Sequence, residues 1–159
     1  VLGDYIPAKL SMDEGENVIY MAVTSDYSGF MLFFYENGKA AKTELSAYVT
    51  KTNRRKLTGA YSDKCGKCVS IHQMFDDNDI MLKSSASRLL LINSGVISPK
   101  SKGVQGIQVM TLKKNQSVLW AKILTENMVK NPDYYRTKTL PALGRLAKGE
   151  DIGEQISMM

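Results

Sequence analysis

The chain is 159 residues long, 43% apolar and 23% charged, with a formal net charge of +5. That length suits one domain burying roughly 68–70% of its unfolded surface, and the composition excludes disorder as the default state. No apolar run approaches the ~20 residues of a membrane helix, and the opening VLGDYIPAKL carries no signal pattern, so we expect a soluble, cytoplasmic piece of a longer chain with no membrane partner.

The first residues lean acidic, with Asp4, Asp13, Glu14 and Glu16 against Lys9. VIYMAVT (18–24) is β-branched and aromatic, which predicts a strand. FMLFFY (30–35) is a second strand candidate, ending at Glu36-Asn37-Gly38-Lys39. Asn-Gly between strand-like runs predicts a hairpin with a type I′ turn, and KAAKTEL returns from it. Next comes TKTNRRKLTG (50–59), in which Lys51, Arg54, Arg55 and Lys56 stand without an acid. CVSIHQM (68–74), DIMLKSS (79–85) and RLLLINS (88–94) are strand candidates, and the acidic run Asp76 to Asp79 separates the first two. A weaker basic loop, SPKSKGVQG (98–106), leads into GIQVMTL (106–112) and SVLWAKI (117–123). Short strands with regular turn punctuation predict an all-β architecture. Residues 125–159 carry Pro132, Pro141 and helix-compatible pieces such as PALGRLAK, so one or two short helices are expected in a C-terminal tail.

Residues 30–74 align with 80–124: Met31-Leu32 falls on Met81-Leu82, Gly59 on Gly106 and Arg55 on Lys102. Each unit runs apolar strand, tight turn, strand, basic loop, Gly-containing strand, polar turn, last strand. Such units suit propeller-like blades of four short antiparallel strands. The expected organisation is an incomplete first unit (1–29), a blade at 30–74, a blade at 80–124 and a partly helical tail at 125–159.

Charge is segregated along the chain. Residues 39–67 hold Lys39, Lys42, Lys51, Arg54, Arg55, Lys56, Lys64 and Lys67 against Glu44 and Asp63. This points to a cationic face with a polyanionic partner, set against the plainer reading of a solvated surface. Other chemistry is harder to build. Cys65-Gly66-Lys67-Cys68 has the spacing of half a zinc knuckle, but a strand from Cys68 carries His72 about 13 Å away at ~3.3 Å per residue. We therefore expect two reduced thiols at a turn and no metal. His72, the single histidine, has no Ser–His–acid setting, the Asp76–Asp79 run lacks the Gly and Glu of an EF-hand, and there is no P-loop. No catalytic residue and no cofactor is nominated.

DDNDIMLKSSASRLLLINSGVISPKSKGVQGIQVM resembles a blade from the C-terminal domain of the A subunit of bacterial type IIA topoisomerases, the family of DNA gyrase and topoisomerase IV. The match lies in the acidic turn, the Ile-Met-Leu strand and the basic loop closing on Gly103-Val104-Gln105-Gly106-Ile107. MLFFYENGKAAKTELSAY is similar to another opening of the same blade type, and together the matches span about residues 14–124. The resemblance implies a β-pinwheel, with strands exchanged between neighbouring blades, whose basic edge binds and bends duplex DNA without reading its sequence. It also implies a parent that is an ATP-dependent topoisomerase, an isomerase acting on DNA supercoiling or linkage. The partners implied are the rest of that A subunit, whose N-terminal part holds the strand-passing chemistry and is unmatched here, and the ATPase-bearing B subunit. The gyrase box Gln-Arg-Arg-Gly-Gly-x-Gly meets Asn53-Arg54-Arg55-Lys56-Leu57-Thr58-Gly59, keeping the Arg pair and the last Gly. The departures favour a topoisomerase IV-like or shortened form over gyrase-type wrapping.

On this reading the DNA-binding residues are Lys51, Arg54, Arg55, Lys56, Lys100 and Lys102. Lys39, Lys42, Lys64, Lys67, Lys83 and Arg88 are secondary candidates. The competing reading is a β-blade protein-interaction module whose basic face docks an acidic partner.

Overall fold

The computed structural model describes residues 3–52 and 57–151. Strands β1 (Phe30–Tyr35) and β2 (Lys39–Glu44) pair antiparallel, Phe33 facing Ala41. Successive side chains of a strand point to opposite faces. Leu32 and Phe34 accordingly enter one core while Met31, Phe33 and Tyr35 enter another. Burial on both faces is why this strand is apolar throughout. β3 (Cys68–Met74) pairs with the other edge of β1. The second unit repeats the plan with β4 (Asp79–Ser84), β5 (Arg88–Asn93) and β7 (Val118–Ile123). The register slips at matching places, Phe34/Tyr35 in one sheet and Lys83/Ser84 in the other.

The fourth strand of each sheet comes from further along the chain. β6 (Ile107–Gln108) leaves the second unit and pairs with β2, and β8 (Arg145–Leu146) leaves the tail and pairs with β5. The sheet orders are β3-β1-β2-β6 and β7-β4-β5-β8. This is the exchange of strands that the resemblance implies. Leu32, Phe34 and Met74 of the first sheet pack against Ile80, Leu82, Leu90 and Ile92 of the second in one shared core. Polar contacts reinforce it: the Ala121 N–H donates to Ser70 Oγ at 2.9 Å, and His72 Nε2 hydrogen-bonds the Ala121 carbonyl at 2.8 Å.

Several expectations need correction. Residues 18–24 form no strand, because the nearby edge of β3 meets them through side-chain bonds and not through a ladder. The Gln73 N–H donates to Tyr20 Oη and Gln73 Nε2 to the Val23 carbonyl, both at 3.0 Å. Propensity alone does not make a strand, even beside an edge, where backbone groups form no ladder. A five-residue helix, α1 (Ile6–Leu10), starts beside Pro7, where the sequence reading expects none. The expected strand at 106–112 narrows to β6. The tail bears out the expected short helical pieces, with a 3-10 helix at Pro132–Tyr135 and helical residues at 149–151, but it also supplies a strand that the sequence reading does not expect, β8. The Asn-Gly turn is not type I′, since of its residues only Gly38 takes a positive φ (85°), with its N–H bonded to the Tyr35 carbonyl at 3.0 Å. It is a three-residue loop closed by a left-handed residue, and Ser87 (φ 59°) closes the equivalent loop of the second unit.

The acidic turn between the units is a structural knot. Lys42, 4% exposed, donates from Nζ to Asp77 Oδ1 at 2.9 Å, and Ser94 Oγ donates to the same oxygen at 2.8 Å. Arg136 of the tail grips both oxygens of Asp79, at 3.1 and 2.9 Å. The lysine ammonium holds the Asp77 carboxyl below its ordinary value, and the Arg136 fork does the same for Asp79. Beyond this knot, Met128, Val129 and Tyr135 cover the outer face of the second sheet at Met81, Leu89 and Leu91. The Asp151 carboxylate, buried, accepts from the Tyr135 hydroxyl and, at 3.1 Å, from the Lys130 N–H. Burial pushes the Tyr135 phenol up to about 12. Among the described residues no helix is long and apolar enough to cross a membrane.

Gly106 has φ +79°, and a Cβ there would stand 2.0 Å from the Ala40 carbonyl oxygen, which β2 holds in place. Gly59 has φ +72° with nothing within 4 Å. Gly59→Ala should therefore lose about 1–2 kcal/mol from backbone strain alone, and Gly106→Ala a further ~1–3 kcal/mol from the clash. Urea unfolding midpoints would show this, and equal losses would refute the close approach.

Acid should unlock the knot. Asp77 and Asp79 have folded-state values below the ordinary 3.8, so the unfolded chain takes up protons first as pH falls. Their contribution to stability is complete above 3.8 and is lost as the pH drops through the folded-state values. Asp79→Asn should lower stability at neutral pH and flatten the acid limb of the unfolding profile. A limb of unchanged steepness would exclude this role for Asp79.

Candidate nucleic-acid interface

Each unit contains a long connector, at residues 49–67 and 97–117, in which the basic sequences lie. The first is anchored from beneath. Tyr48 Oη donates to the Ala60 carbonyl at 2.7 Å, the Ser62 N–H donates to Tyr35 Oη at 3.1 Å, and Tyr61 stacks on Phe33 at 5.5 Å. Cys65 is buried with Sγ 3.6 Å from the Gln105 carbonyl, which ties the first connector to the second. A Cβ on Gly103 would lie 3.0 Å from the Gly59 carbonyl oxygen, so the two connectors touch there as well. Between them is an open cleft of about 930 Å³ lined by Leu57, Gly59, Lys64, Lys100, Gly103 and Gln105. Glu16 and Asp63 supply acids on its wall.

The cations that the sequence nominates divide by environment. Lys51, Lys64, Lys67 and Lys100 are exposed and Lys102 is half-buried. None of these five ion-pairs with another described residue. Arg54, Arg55 and Lys56 lie outside the described residues; Leu57, which follows them, lines the cleft. Lys83 is half-buried on β4.

Three of the secondary candidates work inside the fold. Lys42 is buried in its bond to Asp77, which removes it from the surface. Lys39 and Arg88 hold equivalent places, facing Gln108 and Leu146 across their ladders. Lys39 Nζ donates to Gln105 Oε1 at 3.0 Å and Arg88 Nη1 to the Gly144 carbonyl at 2.9 Å, each clamping an incoming connector.

The cysteines and histidine do not converge. His72 is turned to the neighbouring sheet, and Cys68, its thiol pushed up to about 11 by burial, lies against the Ser70 carbonyl. The sequence reading misses a third connector, which is the tail. Its signal is Gly144-Arg145-Leu146, which enters the second sheet as Gly106-Ile107-Gln108 enters the first.

No protein-family model matches the chain. The DNA gyrase A protein of Mycoplasma genitalium is 26% identical over 121 residues, which are 75% of this chain and 14% of that protein. The chain thus spans about a seventh of that relative's length. The crystal structure of the C-terminal domain of DNA topoisomerase IV superimposes with a TM-score of 0.69 at 25% identity, over 78% of this chain and 39% of that one. The DNA gyrase A C-terminal domain superimposes with a TM-score of 0.66 at 16% identity, over 94% of this chain and 56% of that one. Two sheets sharing a core and exchanging their fourth strands make the architecture a β-pinwheel, and in sequence and fold the chain resembles the C-terminal domain of the A subunit of type IIA topoisomerases.

Proposed function

We propose that the chain binds duplex DNA along its connectors, independently of sequence, and bends it. We place it in the A subunit of a bacterial, cytoplasmic, ATP-dependent type IIA topoisomerase. The catalytic tyrosine lies elsewhere on that polypeptide, and the ATPase on its B subunit. The observation that carries this reading is the contact of the two connectors at Gly59 and Gly103, with Lys64 and Lys100 on the same cleft. Duplex DNA offers a phosphate charge every ~1.7 Å of axis, and each one neutralised releases condensed counterions. Contacts of that kind position DNA without reading bases. Lys51, Arg54, Arg55 and Lys56 on one connector and Lys100 and Lys102 on the next supply them. Lys64, Lys67 and Lys83 flank these, whereas Lys42 is left out.

Replacing Arg54, Arg55 and Lys56 by Ala should weaken binding to every duplex sequence and flatten the salt dependence by about 0.9 per lost contact. Lys100→Ala with Lys102→Ala should act in the same way, and Lys42→Met should leave the slope unchanged. Fluorescence anisotropy with random-sequence duplex across a salt series reads all three. Weak, shallow retention by the unmodified chain would favour the docking of an acidic protein instead.

A further inference from the structure

We propose that the tail is a third arm of the same track, and that Lys138, Arg145 and Lys148 contact the phosphates of duplex DNA running beyond the second connector. This rests on the DNA-binding reading above.

The tail joins the second sheet as the second connector joins the first. Pro99 bridges Lys42 in parallel and Arg136 bridges Leu91. The next N–H donates to the same acceptor in each case, Lys100 to the Lys42 carbonyl at 2.8 Å and Thr137 to the Leu91 carbonyl at 2.9 Å. Both segments then reach a glycine at φ +79°, Gly106 and Gly144, pressed on the carbonyls of Ala40 and Leu89. Both leave by an N–H bond of 2.9 Å to the hairpin loop, Val109 to Gly38 and Ala147 to Ser87. Between these fixed points the second connector carries Lys100 and Lys102, and the tail carries Lys138. Because the acceptor strands occupy equivalent positions in neighbouring sheets, Lys138 stands on the same rim, one blade further on.

The local charge balance agrees. Asp133 is bonded to Arg136, Glu150 lies 3.9 Å from Lys130, and Asp151 is buried on Tyr135, so these three acids are engaged. Lys138, Arg145 and Lys148 are exposed and make no ion pair with another described residue. Arg145 and Lys148 lie over the ring of Tyr134, at 4.6 and 4.1 Å from its centroid. One aromatic ring therefore gathers two exposed cations, a local concentration of positive charge that favours a polyanion.

The test compares the unmodified chain with the K138A/R145A/K148A variant on two random-sequence duplexes, one long enough for a single connector and one long enough for three. On the long duplex the variant should lose affinity, and its salt slope should fall by up to about 2.7, at about 0.9 per contact. On the short duplex it should match the unmodified chain. K138R/K148R should retain binding, and K138A alone, which disturbs no described contact, should lose about one contact's worth of slope. An unmodified chain that binds with steep salt dependence and a variant identical to it on the long duplex would overturn this inference alone. An unmodified chain that binds no duplex at low salt would overturn the proposed function along with it.

Discussion

The close approach of one backbone to another at Gly106 and Gly144 governs this structure. At each point an incoming segment lies directly on a carbonyl of the neighbouring sheet, Ala40 or Leu89, in a left-handed conformation that side chains resist. Only there can the chain turn from the rim into the sheet and supply its fourth strand. The exchange makes each sheet depend on the unit that follows it. The second sheet is complete because the tail returns as β8, and the tail returns because Asp79 holds Arg136 and Asp151 holds Tyr135. Blade, knot and tail therefore form one cooperative unit.

Charge is sorted by that same geometry. Lys39 and Arg88 sit at the mouths of the exchange and bind the arriving backbone or its side chains, and Lys42 sits further along β2, neutralised by Asp77. Lys51, Lys100 and Lys138 sit on the loops before the glycine, and Lys64 follows Gly59 on the first connector; all four are exposed. Cations of identical type thus divide into those that build the fold and those that face outward. The dividing line is whether the side chain reaches an incoming segment or the acidic turn, as Lys39, Arg88 and Lys42 do.

The same geometry decides what the sequence can disclose. The strands buried on both faces, FMLFFY and RLLLIN, are legible because their apolar runs are continuous. The two units are legible from self-similarity, although the hairpin pairing makes Met31 equivalent to Ile80 and Leu32 to Met81, one residue away from the sequence alignment. VIYMAVT is misleading because strand propensity does not fix how a segment meets an edge, here through side-chain bonds to Gln73 of β3. The fourth strands are beyond composition altogether, since β6 and β8 are two residues each and are defined by distant partners, Ala40 for Ile107 and Arg88 for Leu146. Lys42 reads as a surface residue because a lysine in KAAKTEL looks like the polar face of an alternating strand. Its burial depends on Asp77, which lies 35 residues further on. Arg54, Arg55 and Lys56, the strongest of the sequence signals, lie outside the described residues, and their role rests on the loop that carries them.

Bending a duplex of 20–30 base pairs costs of order 1–6 kcal/mol, and a mobile cationic loop would recover little of it, because each contact would first have to order the loop. Here that ordering is largely built into the fold. The rim loops are pinned on both sides, by Tyr48 and Tyr35 beneath the first connector and by the Lys42 and Gly38 carbonyls at either end of the second. On the proposed reading, described lysines such as Lys100, whose backbone is held by the Lys42 carbonyl, would lose only side-chain freedom on meeting a phosphate, and most of the electrostatic gain would remain available to deform the DNA. A set of such loops repeated once per blade would, on the same DNA-binding reading, set the path of the duplex by the angle between sheets. That angle is in turn set by the shared core of Leu32, Phe34, Leu82 and Leu90. The apolar packing between blades, remote from any phosphate, is therefore what determines how sharply the DNA would bend.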